Sequence, residues 1–198
     1  MTGKTSKVHP GRQNRGDHGP LILISGPPHI GKSSLVAELV RQLRALGWRI
    51  AGILAEGHWQ NDRRSAFTLI DLSDGKRTPL AVRTDPAGSG GFPYAFYPEG
   101  LAAGRLALSL SHCAGADILV VDEVGSLEIQ GKGWADHLRP LLELPVIHLW
   151  VVQSARVAGV CRRWGISPLH VICADETDAT ARLLKILQNL DRSSSGLI

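Results

Sequence analysis

Several absences narrow the class of this chain. Its three cysteines, Cys113, Cys161 and Cys173, are far apart and odd in number, and no Cys-x-x-Cys pair occurs. That spacing argues against a zinc site, and the apolar neighbours point to buried free thiols in a reducing compartment. No apolar run approaches the roughly 18 residues of a membrane span. The N-terminus has no apolar core of a secretory signal. A cytoplasmic protein with no membrane partner is expected. Excess charge is also scarce outside one stretch. Of the formal net charge of +4, Lys4, Lys7, Arg12 and Arg15 against Asp17 place +3 in the first 19 residues. The remaining body is nearly neutral, so no specific nucleic-acid surface is expected across the fold.

The 198 residues, 43% hydrophobic and 20% charged, suit one globular domain with a substantial core. Residues 1–19 are polar and basic without hydrophobic period, which predicts a disordered tail. Residues 20–192 form the expected domain, and residues 193–198 a frayed end.

Inside the domain, strands and helices alternate. An apolar run from Leu21 to Ile24 reads as a buried strand. From Lys32 to Leu46, Leu35, Val36, Leu39, Val40, Leu43 and Leu46 recur at helical spacing, with Gly47 as C-cap. A second strand is expected over Arg49–Ala55 and a polar segment over Glu56–Arg64. Two β-prone runs, Ala66–Leu72 and Pro79–Arg83, flank an Asp74-Gly75 turn and predict a small β-hairpin. Residues 84–100 read as a long loop whose Phe92, Tyr94, Phe96 and Tyr97 pin it to the body. A helix over Glu99–Cys113, a strand over Asp117–Val121 and a helix over Gly133–Leu142 follow. The apolar run Val146–Val152 reads as a central parallel strand. A short helix at Arg156–Arg163, a strand at His170–Cys173 and a final helix capped by Thr177 complete the chain. The pattern predicts a three-layer α/β domain, with a mostly parallel sheet flanked by helices and a small hairpin insertion.

Two stretches carry chemistry. Residues 26–33 fit the phosphate-binding pattern Gly-x-x-x-x-Gly-Lys-Ser, with a strand before and a helix after. Gly26 and Gly31 let the backbone bend, so that the N–H groups across Pro27, Pro28, His29, Ile30 and Ser34 can form an anion cradle, prolines excepted as donors. Only the backbone of His29 is needed there, and its imidazole is expected to face solvent. Lys32 reaches the β- and γ-phosphates, and the Ser33 hydroxyl is a Mg²⁺ ligand. The second stretch is Ile118-Leu119-Val120-Val121-Asp122-Glu123. A strand ending in two carboxylates has the Walker-B form, with Asp122 holding Mg²⁺ and Glu123 orienting the attacking water as general base. Gly125 either lets the backbone pass close to nucleotide or merely ends the strand, and Glu128 continues the stretch. A further cation is expected to offset charge during hydrolysis. Arg156 is the candidate after the central strand, and Arg63 and Arg64 after the second. Trp59, Trp134 and Trp164 are expected to serve in core or rim packing.

Four stretches together resemble the THEP1 family of nucleoside-triphosphatases: residues 25–34, the run Arg64–Leu72 with its hairpin, Val120–Glu128, and Val151–Arg156. The resemblance spans residues 21–190. It implies a P-loop NTPase fold of the additional-strand class, with the Val146–Val152 strand between the phosphate-loop strand and the Asp122 strand. It also implies slow, Mg²⁺-dependent hydrolysis of ATP, GTP and other nucleoside triphosphates to the diphosphate and phosphate. Two alternatives stand beside hydrolysis: a nucleotide or small-molecule kinase, and a non-hydrolysing nucleotide-binding adaptor. No protein partner is indicated.

Overall fold

The computed structural model describes residues 19–84 and 93–195, and side chains to residue 191. The expected basic tail lies outside the described residues except for Gly19, as do Phe92 and residues 196–198. Eight strands form one sheet: β1 (Leu21–Gly26), β2 (Ile50–Gln60), β3 (Arg63–Asp71), β4 (Arg77–Arg83), β5 (Tyr94–Phe96), β6 (Ile118–Val121), β7 (Ile147–Gln153) and β8 (His170–Cys173). Their spatial order is β5-β4-β3-β2-β6-β7-β1-β8. The four neighbouring pairs from β2 to β8 are parallel, and the three from β5 to β2 are antiparallel. The parallel part is therefore one half of the sheet. As expected, β7 lies between β1 and β6.

Period-two side-chain alternation divides the sheet's apolar residues between two cores. Ile22, Ile24, Ile118, Val120, Leu149 and Val151 face α1 (Lys32–Ala45) and α7 (Ala179–Ser195). Leu21, Leu23, Leu119, Val121 and Trp150 face the opposite way. There they meet α5 (Ala135–Leu142) and α6 (Val157–Trp164), with α2 (Pro98–Ala107) over the antiparallel half. Sheet and flanking helices thus make three layers. Each fully buried Leu, Ile or Val contributes about 1.5–3 kcal/mol.

Helix α1 has the expected start and a Schellman end. Gly47 is left-handed (φ 85°), with Gly47 N–H donating to Arg44 O at 3.0 Å and Trp48 N–H to Leu43 O at 3.1 Å. Val36, Leu39, Val40 and Leu43 are buried, but Leu46 is exposed because the helix stops at Ala45.

Four local expectations are corrected. The polar segment Glu56–Arg64 is no loop: β2 continues to Gln60, turns at Asn61 and Asp62 (φ 50° and 57°), and pairs back with β3. Asn and Asp tolerate the left-handed conformation that a two-residue hairpin turn demands. The Glu99–Cys113 helix is two, α2 and α3 (Leu110–Cys113), because Ser109 restarts the chain and its Oγ accepts the His112 N–H at 3.3 Å. The helix expected from Gly133 starts at Ala135, behind a separate turn, α4 (Ser126–Ile129). The final helix opens at Ala179, one residue later than a Thr177 cap requires, and continues to Ser195.

Candidate functional site

Strands β1, β6 and β7 run parallel and in register, Gly26 beside Gln153 and Val121 beside Trp150. Their following loops therefore open at the same edge. After β1 the chain enters the phosphate loop, with His29 and Gly31 left-handed (φ 64° and 85°), and turns into α1 at Lys32. A helix start leaves backbone N–H groups unpaired and aimed at this edge. Lys32 is 7% exposed and folds back on its own loop, donating to Gly26 O at 3.1 Å and Pro27 O at 2.5 Å. Its pKa is lowered, chiefly by burial, and the nearby Glu123 and Asp122 carboxylates offset this in part.

Asp122 is fully buried. One carboxylate oxygen accepts the Ala55 N–H of β2 at 3.1 Å and the other the Glu123 N–H at 3.0 Å, and Ser33 donates its hydroxyl. Ser33 and Asp122, paired on paper by motif, are thus in contact. Burial, then the neighbouring Glu123, pushes the Asp122 pKa up to about 7.

Glu123 departs from the strand. Its φ is 63°, a conformation that costs a residue with a Cβ about 1–3 kcal/mol. The next residue is pinned, Val124 N–H donating to Val151 O at 2.9 Å. The kink leaves Glu123 exposed beside Lys32. Gly125 needs no special conformation (φ −148°), and an added Cβ would meet nothing nearer than Glu123 O at 4.0 Å. Glu128 borders the same cavity as Lys32 and Glu123 but is almost wholly covered. It is 3% exposed, accepting the Gly125 N–H at 2.8 Å and the Trp134 N–H at 3.3 Å, with its pKa raised by burial.

The arginine candidates separate. Arg156 sits in the 3-10 turn Ser154–Arg156 after β7 and lines the same cavity as Lys32 and Glu123. Arg64 lines it too, because the hairpin at Asn61-Asp62 folds β3 back so that Arg64 lies opposite Trp59. Its guanidinium stacks 5.0 Å from the Trp59 ring centre and 5.1 Å from that of Phe67. The buried Nε finds no acceptor among the described residues. Arg63 pairs with Gln60 at the hairpin tip and does not line that cavity. His29 is exposed, as expected, and its ring also meets the exposed Trp59 edge to face at 5.1 Å. Trp59 itself is 51% exposed, on the rim, whereas Trp134 and Trp164 are buried. Sequence reasoning missed the hairpin that carries Trp59 and Arg64 to the phosphate loop. The adjacent Asn61-Asp62, both types that favour left-handed turns, was the available signal.

A phosphate loop after the first strand of a parallel half-sheet, facing an acidic pair two strands away, defines a P-loop α/β nucleotide enzyme. The family is more specific. The profile of a family described as NTPase matches residues 21–180, and the chain belongs to that family of nucleoside-triphosphatases. Nucleoside-triphosphatase THEP1 of Ignicoccus hospitalis is 32% identical over 109 residues, 55% of this chain and 61% of that protein. THEP1 of Methanopyrus kandleri is 27% identical over 89% of this chain and 92% of its own length. The solution structure of a human cancer-related nucleoside triphosphatase shares the fold, with TM-score 0.65 and 22% identity over 88% of this chain and 98% of that one. Nucleoside triphosphates are the substrates these names describe. No helix among the described residues is long and apolar enough to cross a membrane.

Proposed function

We propose that this chain binds a Mg²⁺–nucleoside triphosphate along residues 26–34 and hydrolyses it to the diphosphate and phosphate, with Glu123 as general base. The observation that carries the reading is the convergence of Lys32, Ser33, Asp122 and Glu123 at one sheet edge, Asp122 buried against Ser33 and Glu123 exposed beside Lys32. Among the described residues no cluster of three His, Cys, Asp or Glu side chains could hold a metal by itself. Phosphate oxygens and water would complete the coordination. The buried Asp122, with its raised pKa, and the Ser33 hydroxyl fit a divalent cation, whose charge would relieve the cost of ionising the carboxylate. Held by Ser33 and Asp122, Mg²⁺ would neutralise the charge that develops on the phosphates.

The chain's own groups do the rest. Lys32 exchanges the Gly26 and Pro27 carbonyls for phosphate oxygens. Unpaired N–H groups of the loop and of the first turn of α1 hold the chain of phosphates. Glu123 takes a proton from water aligned with the γ-phosphorus, and Arg64 or Arg156 offsets the negative charge. Cys113, Cys161 and Cys173 are all free thiols, which supports a reducing, cytoplasmic setting.

Phosphate release from ATP, GTP, CTP and UTP with Mg²⁺ tests the reading. Glu123→Gln should slow release by about 10²–10⁴-fold and keep nucleotide binding. Full activity in that variant would remove Glu123 from the base role. Binding with no release from any triphosphate would favour an adaptor.

A further inference from the structure

The nucleotide trough does not use all the open space at this edge. One cavity runs along the start of α1, bordered by Gly31, Ser33, Ser34 and Ala37. A second, of about 300 Å³, extends from Pro28, Lys32 and Glu123 into the antiparallel half, walled by Phe67, Leu80, Tyr94, Phe96 and Trp134. The two share His29, Lys32, Arg64 and Glu123.

Lys32, Ser33 and Glu123 mark the β/γ end of a bound triphosphate, and the cavity past Ser34 and Ala37 along α1 leads away from it. The walled cavity therefore lies beyond the γ-phosphate. The base of the same nucleotide, two phosphates and a sugar away, does not belong there. An attacking water takes about 30 Å³, a tenth of the space. Aromatic and aliphatic walls suit neither phosphate nor water, but they suit a ring.

The walls are also held in place. The Trp134 backbone is bolted to the buried Glu128, and its indole lies across Gly104, where an added Cβ would run into the ring. Phe67 and Tyr94 meet edge to face at 5.1 Å, and the Tyr94 hydroxyl donates to Arg64 O at 3.3 Å.

We propose that this chamber is an acceptor site, and that the chain transfers the γ-phosphoryl group to a hydroxymethyl-bearing aromatic or heteroaromatic small molecule. The proposal rests on the placement of the γ-phosphate at Lys32 given above and extends the attacking group from water to an alcohol. The ring packs against Phe67, Phe96 and Trp134, and the hydroxymethyl group points back at Glu123. A bond forms between the alcohol oxygen and the γ-phosphorus. The bond from that phosphorus to the β,γ-bridging oxygen breaks, its electron pair leaving with the diphosphate. The alcohol proton passes to the Glu123 carboxylate and then to solvent. Hydrolysis is the same displacement with water in the acceptor's place.

The full chain is incubated with Mg²⁺ and γ-³²P-ATP, with and without benzyl alcohol, 3-pyridylmethanol or 2-naphthylmethanol. In parallel, saturation-transfer NMR reads binding of each alcohol beside a non-hydrolysable ATP analogue. The expected result is saturation transfer to the aromatic protons and a labelled phosphomonoester from at least one alcohol, with phosphate release falling as the ester forms. Phe96→Ala, which opens the wall, and Leu80→Trp, which fills it, should each lower the ester yield at least tenfold. Should Leu80→Trp fail to fold, Phe96→Ala and the wild-type NMR carry the readout. Wild-type phosphate release with no ester, whether the alcohols bind or not, overturns the acceptor site and leaves hydrolysis standing. Ester formation without release in the absence of alcohol overturns hydrolysis instead and supports the acceptor. Equal ester yield in both variants removes the chamber from the reaction.

Discussion

The two halves of the sheet are built differently. In the parallel half, β1, β6 and β7 are buried along almost every residue, sealed by helices on both faces. In the antiparallel half, β3, β4 and β5 are mostly half-buried, and the turns at Asn61-Asp62 and at residues 73–76 are exposed. The parallel half holds the groups that must not move, namely the phosphate loop and the buried Asp122. The antiparallel half contributes Arg64 and the walls of the second cavity. Burial on both faces gives rigidity and keeps one register, whereas a half-buried extension can be reshaped around a ligand at lower cost. In the function proposed above, phosphate handling belongs to the first half and selection of a substrate beyond the phosphates to the second.

This contrast can be broken by mutation. The largest effect is expected at Glu123, where Glu123→Gln should slow phosphate release by about 10²–10⁴-fold, read by single-turnover assay, while fluorescent-nucleotide affinity changes less than about threefold. A loss of affinity equal to the loss of rate would move Glu123 from base to binding group. The core of the parallel half comes next. Leu119→Ala, at a fully buried position of β6, should cost about 2–5 kcal/mol by urea denaturation.

The pH response should be traced to Asp122. Its ordinary pKa of 3.8 is pushed up to about 7 in the fold. Between those values the unfolded chain has released the proton that the folded chain retains. Stability is therefore full below about pH 4 and falls as pH rises toward about 7, by on the order of 4 kcal/mol. Denaturation in EDTA from pH 4 to 8 checks this, and Asp122→Asn should flatten the curve. Mg²⁺ with nucleotide should restore stability at pH 7.5. The smallest effect belongs to the antiparallel half. Arg77 pairs with Glu56 across the sheet, both side chains about half exposed, and Arg77→Ala should cost under about 1 kcal/mol. A larger cost would mean that this half is as rigid as the other.

What was legible in the sequence follows the same division. The phosphate loop works through contiguous backbone, so its spacing and its flanking strand and helix identify it without any tertiary information. Strand β6 betrays itself by four apolar residues ending in Asp122-Glu123. Strands β1, β7 and β8 fall within a residue or two of their expected bounds. The failures cluster where apolar pattern is weak. The polar end of β2, Glu56 to Gln60, reads as loop because only pairing with β3 makes it a strand. The break at Ser109 is invisible because apolar residues continue on both sides, and only the capping hydrogen bond ends one helix and starts another.

By itself, then, the sequence determined that a phosphate-binding pattern follows β1 and that an acidic pair ends a buried strand. Both are local patterns of backbone need and hydrophobic run. The tertiary structure alone decided that Asp122 touches Ser33, that the Glu123 backbone kinks its carboxylate toward Lys32, and that Arg64 rather than Arg63 faces the loop. It alone assembled the walled chamber from Phe67, Leu80, Phe96 and Trp134, which lie on three strands and in the turn before α5. Such a cavity depends on strand register and on the close approach of Trp134 to Gly104, and neither leaves a mark in residue spacing.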